Sequence, residues 1–500
     1  MDFNFTTIDG VLSIARDWSL ILLAGLALLL TVGTSYHALV YKRDSRAALG
    51  WFGVILLSPV IGALFYLFFG INRIERKGVR LNLQRTKIGE KELLDPTELP
   101  FGELQWLEVI KKDYSGFWEI GEKLELAKGY LPIQMRPLFT GDEAYPEMLK
   151  AIHNAKTQIY LQSYIFLKDP VGLEFIDELE RAKNRGVEVK VLLDDVGSGP
   201  SFLGVFREFR KRGIPIASFL PIFQINRSRF SNLRNHRKLL IVDGRVAFTG
   251  GLNIAQVYWP SRSQGEFIPD LHFKIQGPLV QDLERVFISD WEFSTDELLA
   301  TSKSETAIEW NLEKREEIDG VARVIPDGPG ELIERIKWSF ISAIQSAKKS
   351  IRIQTPYFLP ESGIVAALCA ASLRGIRVEI LIPERSDHPY LSWATMGSLS
   401  DLLQYGCHLY LIPRPFEHTK IFIMDEVWMS FGSSNWDQRS LRLNFELNVE
   451  IFSEKGVPEI IEYFEKKKKE SIPYTLEKYW GRNSLEKLRD GFFRIFSPYF

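Results

Sequence analysis

His236-Arg-Lys-Leu-Leu-Ile-Val-Asp243 and His418-Thr-Lys-Ile-Phe-Ile-Met-Asp425 are two copies of one pattern, H-x-K-x4-D, in a single chain. Their surroundings match as well. Thr157-Gln-Ile-Tyr-Leu-Gln-Ser-Tyr-Ile-Phe166 parallels Lys349-Ser-Ile-Arg-Ile-Gln-Thr-Pro-Tyr-Phe358. Gly186-Val-Glu-Val-Lys-Val-Leu-Leu193 parallels Gly375-Ile-Arg-Val-Glu-Ile-Leu-Ile382, and Gly213-Ile-Pro-Ile parallels Gly406-Cys-His-Leu. Four β-rich runs in one order, separated by helical patterns, thus recur about 180–190 residues apart. Strands alternating with helices predict α/β layers around mixed sheets flanked by helices. The recurrence predicts two pseudo-symmetric blocks, 131–300 and 320–456, joined by a polar linker at 301–319. A charged linker and helical segment, 73–130, precedes them.

On a strand, side chains alternate faces. His236 and Lys238 then share one face, and so do His418 and Lys420. Asp243 and Asp425 fall at odd offsets and point the other way, which predicts that they brace the strand or turn from outside the pocket. Gly250-Gly-Leu-Asn253 and Gly432-Ser-Ser-Asn435 follow the motifs. Their glycines allow close backbone approach, and Asn253 and Asn435 are read as returning to the pocket. A phosphodiester needs a nucleophile, a proton donor for the leaving alcohol and cations on its free oxygens. Two histidines supply the first two roles; two lysines and two asparagines supply the clamp. One motif is half a site, so the repeats must face each other. The candidate catalytic set is His236, Lys238, Asp243, His418, Lys420 and Asp425, with Asn253 and Asn435 in support of the phosphate. The competing reading of a single motif is a strand bearing solvated charges. A metal site is disfavoured, because a lysine beside each histidine repels a cation and the seven histidines include no His-x-His.

Sixty-two basic and 64 acidic residues leave a net charge of −2, which counts against a nucleic-acid partner. Cys369 and Cys407 form no CxxC pattern and no disulfide framework. Ser19 to Tyr41 and Ala47 to Ile71 carry no charged residue. Each exceeds the roughly 20 residues that cross a bilayer as a helix. Together they predict a two-helix transmembrane hairpin within 1–72 that anchors the chain in a cell membrane. Lys42, Arg43 and Arg46 lie in its loop, and Arg73, Arg76, Lys77 and Arg80 follow it. With both sides basic, the positive-inside rule leans to a cytoplasmic catalytic part. The end of the chain, 457–500, turns basic and aromatic. Lys466-Lys-Lys-Lys469 reads as a solvated helix face. Leu485 to Phe500 reads as an amphipathic segment on anionic lipid, with packing against the core as the rival.

These residues resemble the phospholipase D superfamily, whose hallmark is the paired motif. Leu233-Arg-Asn-His-Arg-Lys238 and Gly250-Gly-Leu-Asn-Ile254 resemble the first half-site of the bacterial cardiolipin synthase family. Gly432-Ser-Ser-Asn435 and Arg439-Ser-Leu-Arg-Leu-Asn-Phe-Glu446 resemble the second. Ala47-Ala-Leu-Gly-Trp51, Pro59 and Phe69-Gly-Ile-Asn72 resemble that family's N-terminal hairpin. The resemblance implies two phospholipase-D-like domains and a two-step exchange. His236 attacks the phosphorus of one phosphatidylglycerol, and His418 protonates the departing glycerol. His418 then deprotonates a hydroxyl of a second phosphatidylglycerol, which displaces the histidine. Each histidine has a carboxylate partner about thirty residues downstream, which pairs His236 with Asp270 and His418 with Glu446. No metal or cofactor is implied. The implied partners are phosphatidylglycerol, as donor and acceptor, and anionic membrane lipid. Two positions depart from the pattern and bear on acceptor specificity. Ile268-Pro269 stands where Trp-Arg is usual, and Glu417 stands where an apolar or aromatic residue is usual. Water as acceptor would make the same site a phospholipid hydrolase, and loss of chemistry would leave a membrane scaffold.

Overall fold

A long helix, α1 (Phe5–Tyr41), begins the computed structural model, which describes residues 5–42, 45–70, 105–124, 130–219, 233–300, 318–329 and 334–497. Most of the expected 301–319 linker and much of 73–130 lie outside the described residues. The chain divides into two units, Met1–Arg76 and Lys77–Phe500.

In the first unit, the Trp18–Tyr41 part of α1 is 24 residues long with a mean hydropathy of 1.9, enough to cross a bilayer. The second apolar run does not form the single continuous helix expected. It breaks at Ser58 into α2 (Ser45–Leu57) and α3 (Pro59–Phe65), followed by a π-helical turn at Tyr66–Gly70. Proline at the first position of α3 has no N–H to continue α2, and Ser58 leaves the helical region (φ −140°, ψ 78°). α3 then folds back on α2. A Cβ at Gly62 would meet the Val54 carbonyl oxygen at 2.3 Å. The Tyr66 ring stands edge-on to Trp51, with centroids 5.4 Å apart, where a straight helix would separate them by about 22 Å. Tyr66 also hydrogen-bonds His37 of α1 at 2.7 Å. Among the described residues, one helix is long and apolar enough to span.

In the second unit, the first repeat supplies β1 (Leu131–Phe139), β2 (Gln158–Ser163), β3 (Glu188–Asp194), β4 (Ile216–Phe219), β5 (Arg234–Asn235), β6 (Leu239–Val242), β7 (Val246–Gly250) and β8 (Leu271–Gln276). The second supplies β9 (Gly320–Asp327), β10 (Ser350–Gln354), β11 (Phe358–Leu359), β12 (Arg377–Pro383), β13 (His408–Ile412), β14 (Ile421–Met424), β15 (Trp428–Gly432), β16 (Trp436–Asp437), β17 (Asn444–Phe452) and β18 (Ile472–Tyr474). One sheet runs β4-β3-β2-β6-β7-β8-β1-β9-β17-β15-β14-β10-β12-β13-β18. Apart from β18 it is a palindrome about the antiparallel β1–β9 pair, where Leu131 faces Ala322 and Ile133 faces Gly320. β8 answers to β17, β7 to β15, β6 to β14 and β2 to β10. The outer strands of each half are parallel and the inner ones antiparallel, so the sheet is mixed. The motif strands β6 and β14 are buried throughout, as their unbroken apolar runs require. Helices such as Thr140–Asn154, Pro170–Asn184 and Leu279–Thr295 flank the first half, and Arg335–Ser346, Ser362–Leu373 and Gly456–Glu470 flank the second.

The lysine run after 456 is only partly a solvated face. Gly456–Glu470 buries Val457, Ile460 and Phe464, and β18 adds an antiparallel edge strand to β13. Lys467 and Lys468 pair with Glu417 (2.8 Å) and Glu379 (2.9 Å), both buried. A carboxylate buried without a cation is costly, which folds these two lysines into the structure.

Asp243 and Asp425 occupy the hairpin turns after β6 and β14 in the left-handed conformation, with φ of 54° and 53°. Asp243 accepts from the amides of Lys156, Thr157 and Gln158. Asp425 accepts from the amides of Lys348, Lys349 and Ser350 and from the Tyr114 hydroxyl. Each carboxylate clips its turn to the chain entering β2 or β10. Asp425→Ala leaves three amides and a buried hydroxyl unpaired, and the expected loss of unfolding free energy is about 2–4 kcal/mol. Asp243→Ala, at a more exposed turn, loses less. Thermal and denaturant melting of the purified variants checks both the size and the order.

Candidate active site

The motif histidines and lysines do not lie on strands, as alternation had suggested. β6 begins at Leu239 and β14 at Ile421, so the residues concerned form the links leading in. Local contact replaces face-sharing: Lys238 Nζ donates to the His236 carbonyl at 2.6 Å, and Lys420 Nζ to the His418 carbonyl at 2.5 Å.

Each histidine is fastened across the repeat boundary. β5 pairs in parallel with the start of β17, with Arg234 opposite Asn444 and Asn235 opposite Phe445. The His236 amide donates to the Phe445 carbonyl at 2.9 Å. This sets Glu446 Oε2 3.0 Å from His236 Nδ1. In the mirror arrangement, the His418 amide donates to the Pro269 carbonyl at 2.8 Å, and Asp270 Oδ2 lies 2.6 Å from His418 Nδ1. The expected pairing within each repeat is therefore corrected: the two carboxylates are exchanged. The cause is topological. The palindrome brings the openings of β8 and β17, which carry the carboxylates, to either side of the central pair and within reach of the opposite motif.

The two pairs differ electrostatically. Burial works to raise the Glu446 pKa, but His236, Lys238 and the Ser433 hydroxyl outweigh it and hold Glu446 below the usual value. Asn444 donates to its other oxygen at 3.0 Å. At Asp270, burial prevails over Lys420 and pushes the carboxyl up to about 6. Gly251 stands where the second repeat has Ser433. A Cβ there would come within 2.2 Å of Asp270 Oδ1, so no side-chain hydroxyl fits. Burial lowers the His236 pKa, against Glu446. An ionised carboxylate only accepts, so the His236 proton sits on Nδ1 and the Nε2 lone pair is free. Burial, then Lys420 and Lys238, lower His418 well below its usual value. Burial also brings Lys238 down to about 7 and Lys420 to about 8. Lys420 Nζ lies 3.2 Å from His418 Nε2 and 3.9 Å from Asp270 Oδ2.

The structure thus brings together His236, Lys238, His418, Lys420, Asp270 and Glu446. Asp243 and Asp425 stay at their turns. Asn253 accepts from the Ile165 amide at 3.1 Å and donates to the Tyr258 hydroxyl at 2.9 Å. Asn435 is buried, and its Oδ1 has no partner among the described residues. Sequence reasoning missed the aromatic walls. The Tyr164 ring stands edge-on to His236 at 4.8 Å. Tyr258, Tyr357 and Phe416 surround His418 with centroids 6.2, 6.3 and 5.9 Å away. Tyr164 and Tyr357 stand near the ends of the β-rich runs that opened the repeat, the one signal that could have marked them. The two departures from the family pattern also find a place. Pro269 contributes its carbonyl, which any residue has, and Glu417 is buried against Lys467, Thr419 and Tyr463.

Two neutral histidines, each backed by a carboxylate and accompanied by a lysine, are equipment for displacement at phosphorus through a phospho-histidine. Residues 148–291 and 340–468 match the family model described as cardiolipin synthase, PLD-like domain. Residues 29–70 match the phospholipase D-nuclease N-terminal model. The chain is 31% identical to cardiolipin synthase 1 of Staphylococcus epidermidis, over 95% of this chain and 98% of that one. It is 31% identical to the major cardiolipin synthase ClsA of Bacillus subtilis, over 91% and 94%. Phosphatidylserine synthase of Haemophilus influenzae shares the fold, with a TM-score of 0.58 at 17% identity over 76% of this chain and 96% of that one. The chain belongs to the cardiolipin synthase family of the phospholipase D superfamily.

An oxyanion bound beside Lys238 and Lys420 raises both of their pKa values. Binding of inorganic phosphate at pH 8 is therefore expected to take up protons, about one per phosphate. Calorimetry in buffers of different ionisation enthalpy measures this directly, and zero uptake would mean that both lysines are already fully charged in the empty site.

Proposed function

We propose that this enzyme transfers a phosphatidyl group from one phosphatidylglycerol to another and releases glycerol, with His236 as the nucleophile. The crossed histidine–carboxylate pairs carry the reading, because they prepare the two imidazoles differently. His236, with its proton on Nδ1 and Glu446 ionised behind it, attacks phosphorus through Nε2. The bond to the glycerol oxygen breaks, and that oxygen takes a proton from His418. Lys238 and Lys420 neutralise the non-bridging oxygens. In the empty site His418 is neutral beside Lys420. The anionic phosphodiester offsets that positive charge and lets His418 hold the proton it must give. A hydroxyl of the second lipid then loses its proton to His418 and attacks phosphorus, and the P–N electron pair returns to His236. Glu446 stabilises the cationic phospho-imidazole that the first step creates at His236 and the second step consumes.

The membrane association supported by α1 and the N-terminal family match takes a specific form in this proposal. α1 is the single span, and α2–α3 is a hairpin that enters and leaves the bilayer on one face, in place of a second span. Lys42, Arg43 and Arg46 then share a side with Arg73, Arg76, Lys77 and Arg80. The positive-inside rule assigns that side to the cytoplasm. With two spans the same two clusters would fall on opposite sides and cancel.

Vesicles of pure phosphatidylglycerol, incubated with the purified protein and followed by mass spectrometry, are expected to yield cardiolipin and free glycerol. His236→Ala abolishes both, and Glu446→Gln slows them by roughly 10²–10⁴-fold without unfolding the protein. Phosphatidic acid in place of cardiolipin would make the enzyme a hydrolase. Topology is read with a membrane-impermeant maleimide on intact cells. Thr7→Cys is expected to label from outside while Ser45→Cys and Ser484→Cys stay protected, and protection of Thr7→Cys would restore the two-span arrangement.

A further inference from the structure

The last helix described, Ser484–Ile495, is capped by Asn483 in a capping box with Glu486. It is polar toward the protein and apolar toward the outside. On its inner side Asp490 is buried between Arg482 and Arg489. Arg494 donates to the Gly397 carbonyl at 3.1 Å, and Phe493 packs on Trp393 at 4.9 Å. On the outer side Leu485, Leu488, Phe492 and Ile495 are 78%, 71%, 54% and 70% exposed. Their spacing of three and four residues makes one stripe, and Phe496 extends it. Trp480, 58% exposed, lies under Lys487 with the ammonium 5.7 Å from its ring. An apolar stripe of this kind on a folded unit marks a surface that another phase or molecule covers.

We propose that this stripe inserts into the interfacial layer of an anionic bilayer, as an attachment of the second unit separate from α1. Charge complementarity selects this occupant. Lys478, Arg482, Lys487, Arg489 and Arg494 outnumber Glu477, Glu486 and Asp490 within Leu476–Ile495, in a chain whose net charge is −2. A net basic segment carrying an apolar stripe is the pattern of helices that lie in the plane of anionic lipid. The rivals read from sequence, lipid contact and core packing, thus each claim one side of the same helix. Its supporting surface leads to the site. Phe493 and Arg489 hold Trp393 of the helix Pro389–Met396. Just before that helix, Asp387 accepts from the Tyr357 hydroxyl at 2.7 Å, and Tyr357 stands beside His418. Lipid bound at the stripe is therefore two packed elements away from the second half-site.

The inference does not rest on the proposed chemistry, and its test reads no activity. Leu488→Cys and Lys487→Cys are made in the full-length protein, where Cys369 and Cys407 are buried, then spin-labelled and placed in nanodiscs of phosphatidylglycerol and phosphatidylcholine. Position 488 is expected to gain oxygen accessibility and lose nickel-chelate accessibility several-fold relative to 487. Water-like values at both positions overturn the proposal. Shielding of 488 from both reagents also overturns it, in favour of a protein partner such as a second copy. Equal depth in discs of phosphatidylcholine alone overturns the selection for anionic lipid.

Discussion

The antiparallel pairing of β1 with β9 is the constraint on which the rest depends. It joins two half-sheets into one and fixes the distance between two motifs that are far apart in sequence. Because the sheet is a palindrome about this pair, each motif histidine meets a carboxylate from the other half. The side chains of Glu446 and Asp270 have no solvent exposure, and a buried charge must be paired. Pulling the repeats apart would strand two carboxylates at once. Arg237 reinforces the junction: paired with Asp290 of its own repeat, it also donates to the Glu446 and Asp327 carbonyls of the other at 3.0 and 3.1 Å. The site and the junction are held by the same bonds, so the repeats form one unit and not two.

Pseudo-symmetry makes the half-sites similar, and in the proposed mechanism small differences give them separate tasks. Ser433 gives Glu446 a hydroxyl; Gly251 gives Asp270 nothing. The first carboxylate is held ionised behind His236, while the second is pushed up beside His418. A firmly ionised partner suits an imidazole that must become cationic on forming a P–N bond. A partner of weaker acidity suits one that passes a proton back and forth.

The duplication and the motif groups were legible because they are local: recurring runs, fixed spacings and the chemistry of the residue types. The exchange of Asp270 and Glu446 was not legible, because the crossed partners lie 210 and 148 residues apart and only the sheet order brings them together. The strand parity argument erred at His236 and Lys238, since the strand starts one residue later. It still put Asp243 on the far side, where the turn carries it. The break in the second apolar run was not legible, because composition does not record direction. Pro59 was visible, but only the close approach of Gly62 to Val54 and of Tyr66 to Trp51 reveals that the chain reverses there. Glu417 looked anomalous until Lys467, read as part of a surface run, proved to be its partner.

Burial gives the lysines two properties that are usually opposed. Before substrate binds it lowers Lys238 and Lys420 toward neutrality, because ammonium groups out of water lack hydration, and Lys238 also feels the charge of Lys420. With neutral histidines, two charged lysines would just balance Glu446 and Asp270. An arriving phosphodiester adds one negative charge to a pocket whose lysines burial has drawn toward neutrality. In the same low-dielectric setting its attraction to each lysine is larger than it would be at the surface. The protons that burial had loosened are then retained, and in the proposed mechanism the capacity for one more falls to the imidazole at His418. The poor solvation that weakens the cations of the empty site is what makes them effective once the anion is in place.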